Sequence, residues 1–127
     1  MKEILSKAQI IALHHQLIVL FGGEDGLRDD KALEAAIAQP LQTFDGADLY
    51  PTAESKAACL WYGLIMDHPF LDGNKRVGTH AMLIFLLGNG YQIAYEKEDL
   101  IDFTIALASG ERSMKDAENW IAFHLKK

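Results

Sequence analysis

Apolar residues recur every three or four positions along most of the chain, and glycine, proline and capping residues divide this pattern into helix-length segments. In the first segment, Ser6 and Gln9 have the spacing of a capping box, and Gly22 with Gly23 ends the run. The pattern therefore predicts a first helix whose apolar positions are Ile10, Leu13, Leu17 and Leu20.

A short second helix and a turn are predicted next. Asp29 or Asp30 can cap the helix, and Pro40 ends it. Its inward-facing residues are Leu33 and Ile37. The stretch LQTFDGADLYP that follows contains few helix formers, and its Asp45-Gly46 pair favours a small β-hairpin or flap.

Two longer apolar segments predict the third and fourth helices. Pro51 and Thr52 open the third helix, which runs to about residue 66 or 67. Its apolar side consists of Ala57, Leu60, Trp61, Leu64 and Ile65. The segment VGTHAMLIFLLGNG predicts a fourth helix closed by Gly88 and Gly90. Because this segment is apolar on nearly every side, we expect it to be the buried central helix.

Residues 97–109 and 113–125 predict the last two helices, and Ser113 with Asp116 forms a second capping-box sequence. No internal repeat, low-complexity tract or linker divides the sequence. We therefore predict one all-α domain over residues 1–127, with six helices and a small β-hairpin-like flap.

Composition narrows the possible functions. The chain has 12 Lys and Arg against 18 Asp and Glu, so direct binding to nucleic acid is not expected. The N-terminal MKEILSKAQ lacks the features of a signal peptide, and no apolar run reaches the ~18 residues that span a bilayer. The single cysteine, Cys59, lies in an apolar run, which suits a reducing compartment. We predict a cytoplasmic protein that does not enter membranes.

The segment HPFLDGNKR, residues 68–76, combines chemistry that an ordinary helix start does not need. Pro69 disfavours helix at His68, so the segment is predicted to be a loop that leads into the fourth helix. Lys75 and Arg76 then fall in the first turn, where the helix dipole disfavours each cation by ~0.3–1 kcal/mol. A bound phosphate would reverse the sign of this effect.

Two further side chains extend this interpretation. Asp72 is a hard oxygen ligand placed where Mg²⁺ could bridge it to phosphate oxygens. His68 is the group in the loop best suited to accept a proton near neutral pH. A base, a metal ligand and a phosphate site together indicate transfer of a phosphate group to a hydroxyl.

Structural explanations exist for several of these residues. Asp72 could cap the fourth helix, Gly73 could serve the turn, and Phe70 could anchor the loop in the core. Capping leaves His68, Lys75 and Arg76 unexplained, however. The segment is not a Walker A motif, because Thr79 and His80 stand where that motif has Lys and Ser or Thr.

The remaining histidines give weaker signals. His14 and His15 are adjacent on the first helix and point to different sides, so they are unsuited to one metal site. His80 lies one turn after Arg76 and could support the motif indirectly. His124 near the end of the last helix is explained by the helix dipole. Trp61 and Trp120 are predicted core residues.

HPFLDGNKR resembles the signature of the Fic/Doc family, and specifically of its death-on-curing (Doc) branch of bacterial and phage toxins. The resemblance also covers ALHHQLIVLFGGEDGLRDDKALEAAIAQP at residues 12–40 and FLLGNGYQI at residues 85–93. It implies a compact all-helical fold in which the motif loop lies between two central helices.

The resemblance also implies roles for individual residues. His68 corresponds to the general base for the target hydroxyl, Asp72 to the Mg²⁺ ligand and Phe70 to a buried anchor. The expected cradle for the nucleotide phosphates is Gly73, Asn74, Lys75 and Arg76. The segment 43–50 falls where the family has a flap that aligns the target chain by strand addition.

Two positions depart from the wider Fic pattern. Lys75 stands where adenylylating Fic proteins have glycine, and Thr79 stands where they have a second arginine. The Doc branch shares the lysine. Resemblance to this branch implies that the chain transfers the γ-phosphate of ATP to a threonine of a translation factor, elongation factor Tu. The expected result is arrest of translation. Asp72-Gly73 is closer to the wider Fic form than the Asp-Ala of some Doc proteins, so adenylylation remains the alternative.

The resemblance further implies a protein inhibitor. Self-inhibiting Fic proteins carry a helix with the motif Ser/Thr-x-x-x-Glu-Gly/Asn, and the nearest match here, Ser113 to Glu118-Asn119, has one residue too many. A separate antitoxin of the Phd type is therefore expected, with a C-terminal segment that binds a groove on this domain.

Two other function classes stay open from the residues alone. One is a non-catalytic interaction module that keeps the fold and binds a partner. The other is metal-dependent hydrolysis through His68, Asp72 and His80, for which the sequence offers no convincing further ligands.

Overall fold

Six α-helices and one two-stranded hairpin form the fold in the computed structural model, which describes residues 5–126. The helices are α1 (Lys7–Phe21), α2 (Asp30–Ala38), α3 (Ala53–Met66), α4 (Asn74–Gly88), α5 (Lys97–Ser109) and α6 (Met114–His124). A 3-10 turn, Gln39–Leu41, follows α2 and contains Pro40. The all-α fold class and the order of elements predicted from the sequence are confirmed.

Side-chain caps determine where four of the helices begin. The two predicted capping boxes are present, at Ser6 for α1 and Ser113 for α6. Thr52 forms a third box with Ser55 at the start of α3. Of the two candidates for α2, Asp29 is the cap, since its Oδ1 accepts the N–H of Ala32.

The buried central helix is α3, whereas the apolar pattern predicted α4. Eleven of the fourteen residues of α3 are buried, against seven of fifteen in α4, where Leu87 is 68% exposed. α3 packs against α2, α4, α5 and α6. Small residues such as Ala57, Ala58 and Gly63 allow neighbouring helices to approach α3 closely. Because these residues are only weakly hydrophobic, the apolar pattern pointed to the wrong helix.

The hairpin pairs β1 (Thr43–Phe44) with β2 (Ala47–Asp48) in antiparallel register, as the Asp-Gly pair predicted. Asp45 and Gly46 both have positive φ, at 53° and 80°, which is the geometry of a type I′ turn. The buried Lys56 of α3 ties the hairpin down, because its Nζ donates to Asp48 Oδ2 at 3.1 Å and to the carbonyl of Tyr50.

Several predicted apolar positions fall as expected, but one does not. Trp61 is fully buried, and Trp120 packs against Trp61 with ring centroids 5.7 Å apart. Leu20, which continues the apolar spacing of α1, is 73% exposed, and its neighbours Val19 and Phe21 are exposed as well. Within residues 5–126, no helix is long and apolar enough to cross a membrane.

Gly78 sets how closely α3 and α4 approach. A Cβ at this position would lie 3.1 Å from Ile65 Cγ1 and 3.2 Å from the carbonyl oxygen of Trp61. Gly88, in the last turn of the same helix, has open space around it.

Gly78→Val is expected to lower the free energy of unfolding by about 1–3 kcal/mol, because the added side chain meets backbone that cannot move aside. Gly88→Val, the matched control, is expected to stay within about 0.5 kcal/mol of the wild type. Urea unfolding followed by circular dichroism measures both. Equal stability of the two variants would contradict close contact at Gly78.

Cys59 is enclosed in α3, and burial raises the pKa of its thiol to about 11. The thiolate is the reactive form, so we expect no reaction with a disulfide reagent at pH 8 in the folded protein and one equivalent in denaturant. A spectrophotometric thiol assay measures this, and rapid reaction of the folded protein would contradict the burial.

Candidate active site

The motif loop leaves α3 at Asp67 and enters α4 at Asn74, and it is paired with the segment just before α2. The carbonyl of Pro69 accepts the N–H groups of Arg28 and Asp29, at 2.8 and 3.0 Å. The N–H of Leu71 in turn donates to the carbonyl of Gly26 at 3.0 Å. These bonds make the loop one edge of a short extended pair, which fixes its path across the surface.

The side chain of Asn74 closes the loop from inside. Its Oδ1 accepts the N–H of Phe70 and its Nδ2 donates to the carbonyl of Phe70, both at 3.0 Å. The Phe70 ring is 1% exposed, as expected of a core anchor, and stacks on the ring of His14 at 3.8 Å. The side-chain amide of Asn74 therefore serves the loop backbone, and its backbone N–H is open to a ligand.

His14 of α1 is a site residue that the sequence analysis missed. Its ring is 1% exposed, and its Nε2 lies 2.7 Å from the carbonyl oxygen of Asp72. Because a carbonyl accepts only, Nε2 carries the proton. The sequence feature that indicates burial of His14 is its position on the apolar side of α1, four residues after Ile10 and three before Leu17.

His15 points away from the loop, as predicted for adjacent helix residues. Its Nδ1 lies 2.5 Å from Asp25 Oδ2, and this hydrogen bond lowers the pKa of the Asp25 carboxyl. The other oxygen of Asp25, Oδ1, is 3.6 Å from Nδ1 of His14, so one carboxylate contacts both rings, although His14 is buried and His15 is exposed.

His68 is exposed and has a φ of +48°, a conformation uncommon for residues other than glycine. Its backbone carbonyl accepts a bond from Nε of Arg28 at 2.5 Å. The ring has one hydrogen-bond contact among the described residues, with Nδ2 of Asn74 at 3.5 Å from Nδ1. The Asp67 carboxyl is close enough to interact with it electrostatically. The imidazole is therefore open to a substrate.

All six residues predicted for the site line one cavity of about 640 Å³: His68, Asp72, Gly73, Asn74, Lys75 and Arg76. The end of α1 forms a second wall with Phe21, Gly22 and Gly23. Ile65 and Ala108 complete the lining together with Leu71. The cavity is large enough for a small-molecule ligand.

The start of α4 gives this cavity a local positive character. Within residues 5–126, the N–H groups of Asn74, Lys75 and Arg76 have no hydrogen-bond acceptor, and neither cation has a carboxylate at ion-pair distance. The guanidinium of Arg76 lies 5.0 Å above the Phe21 ring. Its NH1 group also donates to the carbonyl of Gly22 at 3.4 Å. Unpaired N–H groups, a helix dipole and two cations without a carboxylate partner together form an anion site.

Asp72 is held at the edge of this anion site. Its Oδ1 accepts the N–H of Gly73 at 2.8 Å and its Oδ2 accepts the N–H of Glu24 at 3.2 Å. Gly23 permits this approach, since a Cβ there would lie 2.8 Å from Oδ2. Gly73, the N-cap residue of α4, serves the turn with a φ of +77°, as one structural explanation predicted. Asp72 does not cap the helix, because α4 has no side-chain cap hydrogen bond.

The donor set at Asp72 fits a divalent cation that is shared with a phosphate ligand. Residues 5–126 contain no group of three or more His, Cys, Asp or Glu that could hold a metal ion alone. Mg²⁺ typically binds one or two protein carboxylates and takes its other ligands from phosphate and water. One exposed carboxylate beside an anion site meets this requirement.

Comparison with known proteins identifies the family. A family model described as Fic/DOC family matches residues 4–86, which is more than half of the chain. The chain belongs to the Fic/DOC family. The resemblance carried by HPFLDGNKR is thereby confirmed.

Two curated relatives agree with this assignment. The chain is 45% identical over 76 residues to Toxin Doc of Mycolicibacterium smegmatis, a match that covers 60% of this chain and 58% of that protein. It is 32% identical over 110 residues to Protein kinase doc of Escherichia phage P1, which covers 87% of this chain and 86% of that protein.

Two residues considered in the sequence lie outside the cavity of this Fic/DOC chain. Thr79 Oγ1 donates to the carbonyl of Lys75 at 2.8 Å and accepts Nε1–H of Trp61 at 3.0 Å, so it faces the α3 interface. His80 Nδ1 lies 2.9 Å from the carbonyl of Arg76. The Thr79 side chain thus belongs to the contact between α3 and α4, and His80 does not join His68 and Asp72 in lining the cavity.

Asn74→Asp is expected to lower the free energy of unfolding by about 1–3 kcal/mol, because a carboxylate would face the Phe70 carbonyl where the amide now donates. The favourable effect of a negative charge in the first turn, ~0.3–1 kcal/mol, offsets only part of this loss. Urea unfolding measures the difference.

Asn119→Asp is the control for the Asn74 variant. Asn119 is an exposed residue of α6, and no hydrogen bond of its side chain is found within residues 5–126. It is expected to stay within about 0.5 kcal/mol of the wild type. Wild-type stability of Asn74→Asp would show that the two bonds to Phe70 do not hold the loop.

Proposed function

We propose that this chain is a Doc-type toxin of a toxin–antitoxin module, and that it transfers the γ-phosphate of ATP to a protein hydroxyl. The observation that carries the proposal is the convergence of His68, Asp72, Lys75 and Arg76 on one cavity at the start of α4. The names of the relatives, a Toxin Doc and a Protein kinase doc, support the same function.

The proposed reaction is an in-line transfer. The oxygen of the target hydroxyl forms a bond to the γ-phosphorus, the bond from phosphorus to the β,γ-bridging oxygen breaks, and ADP leaves. His68 accepts the proton of the hydroxyl, which suits an exposed imidazole at the mouth of the cavity. The three open N–H groups of α4 bind phosphate oxygens, and Lys75 and Arg76 stabilise the transferring group.

Asp72 is the residue that would hold Mg²⁺. The ion, when bound, neutralises charge on the phosphates during transfer. The fit rests on the exposed carboxylate, whose two oxygens are fixed by the N–H groups of Gly73 and Glu24. ATP is thus a substrate, and Mg²⁺ is the proposed cofactor.

The target is proposed to be a threonine of a translation factor such as elongation factor Tu, with arrest of translation in the cytoplasm. The hairpin supports a protein substrate, because its two short strands present unpaired edges and Phe44 is 74% exposed beside them. In this proposal an extended target segment adds to this edge as a further strand.

A Phd-type antitoxin is the proposed regulatory partner. Residues 113–119 are the nearest match to the inhibitory motif of self-inhibiting Fic proteins. The Ser113 side chain caps α6 in a capping box. None of these residues lines the cavity. Inhibition by a separate chain is therefore the simpler arrangement.

ATP labelled on either the α- or the γ-phosphate, incubated with the protein and elongation factor Tu, distinguishes the two transfer reactions. We expect label on the factor from the γ position alone, since Lys75 replaces the glycine of adenylylating relatives. Label from the α position alone would contradict phosphotransfer and establish adenylylation.

His68→Ala is expected to lower the rate by roughly 10²–10⁴-fold, because the base is removed. His124→Ala serves as control, since His124 lies near the end of α6 away from the cavity. If His68→Ala retained full growth inhibition in cells, the chain would be a non-catalytic interaction module.

A further inference from the structure

Arg28 makes an unusual set of contacts with the motif loop from outside the motif. Its Nε donates to the carbonyl of His68 at 2.5 Å and its NH2 group donates to the carbonyl of Asp67 at 2.9 Å. Its backbone N–H donates to the carbonyl of Pro69 at 2.8 Å. Arg28 thus binds the backbone carbonyls of three consecutive residues, and the proposed base, His68, is the middle one.

The guanidinium of Arg28 has no competing partner in the described part of the chain. None of the ion pairs there includes Arg28, although Asp29 is its neighbour in sequence. Arg28 is exposed, so its order comes from the two carbonyls and not from burial. Its positive charge also complements the free carbonyls at the C-terminal end of α3.

The backbone at His68 needs such support. Its φ of +48° is disfavoured for an L-residue, and the following Pro69 disfavours the helical conformation that the chain would otherwise continue from α3. The imidazole is weakly held, since its one hydrogen-bond contact in residues 5–126 is with Asn74 Nδ2 at 3.5 Å. The direction of the ring therefore follows from the backbone at residues 67 and 68.

We propose that Arg28 is a positioning residue that holds His68 in its left-handed conformation and so directs the imidazole into the cavity. This inference rests on the proposed function for its effect on rate. The contact uses two donor nitrogens, Nε and the NH2 group, that one planar guanidinium holds in fixed positions, whereas lysine offers a single nitrogen.

Arg28→Gln and Arg28→Lys test the proposal, with Arg112→Gln as the matched control. Arg112 is an exposed arginine in the turn before α6, and it does not line the cavity. We expect both Arg28 variants to lower kcat for phosphate transfer by roughly 10²-fold, the cost typical of a misplaced catalytic group. The KM for ATP is expected to change by less than about twofold, because the phosphate site at α4 is untouched.

A second measurement reports the conformation without any need for activity. A residue with positive φ gives a strong intraresidue nuclear Overhauser effect between its amide and Hα protons. We expect this signal at His68 in the wild type and in Arg112→Gln, and its loss in both Arg28 variants. The Asp45 signal, from the hairpin turn, is the internal control, because its φ of +53° does not depend on Arg28.

The outcomes separate the proposals. An Arg28→Gln protein that keeps the His68 signal, or loses it with unchanged kcat, overturns the positioning role. The positioning role is also overturned if Arg28→Gln loses activity only in proportion to the fraction of protein that is unfolded, while folded Arg28→Lys keeps the wild-type kcat. Absence of phosphate transfer in the wild type overturns the proposed function, and the His68 signal then decides the conformational role of Arg28.

Discussion

The site depends on a hydrogen-bonding constraint at the start of α4. If the N–H groups of the first turn are to bind a ligand, they cannot also close the loop that leads into the helix. The loop must then obtain its hydrogen bonds from other segments. Asn74 supplies two of them to Phe70, His14 supplies one to Asp72, and Arg28 with its neighbours supplies those along residues 67–71. The first-turn N–H groups of α4 stay open because the loop makes its hydrogen bonds with these other groups.

The same arrangement explains how an acidic chain builds an anion site. The net charge of −6 is spread over the surface, whereas Lys75 and Arg76 have no carboxylate at ion-pair distance in the described residues. The carboxylate that lines the cavity, Asp72, is already bonded to two N–H groups. A multiply charged anion with a divalent cation matches this distribution better than a single carboxylate would.

Much of the fold could be predicted from local sequence signals. Capping boxes, the Asp-Gly turn and apolar spacing gave the helix order, and the motif residues proved to share one cavity. The roles of those residues remain predictions. What the sequence could not show are the properties that depend on packing over long distances, such as the burial of α3 through its small residues. His14 and Arg28 were missed for the same reason, since their partners are fixed by the fold and lie 58 and 40 residues away.

These long sequence separations have a consequence for how the site comes into being. The motif HPFLDGNKR is contiguous, yet the groups that shape it come from α1 and from the segment before α2. Contacts between distant residues form late in folding, after the loops between them have closed. The site is therefore completed only when the chain has folded from α1 through α4. A fragment that carries the whole motif without its first thirty residues would hold the chemical groups but not their geometry.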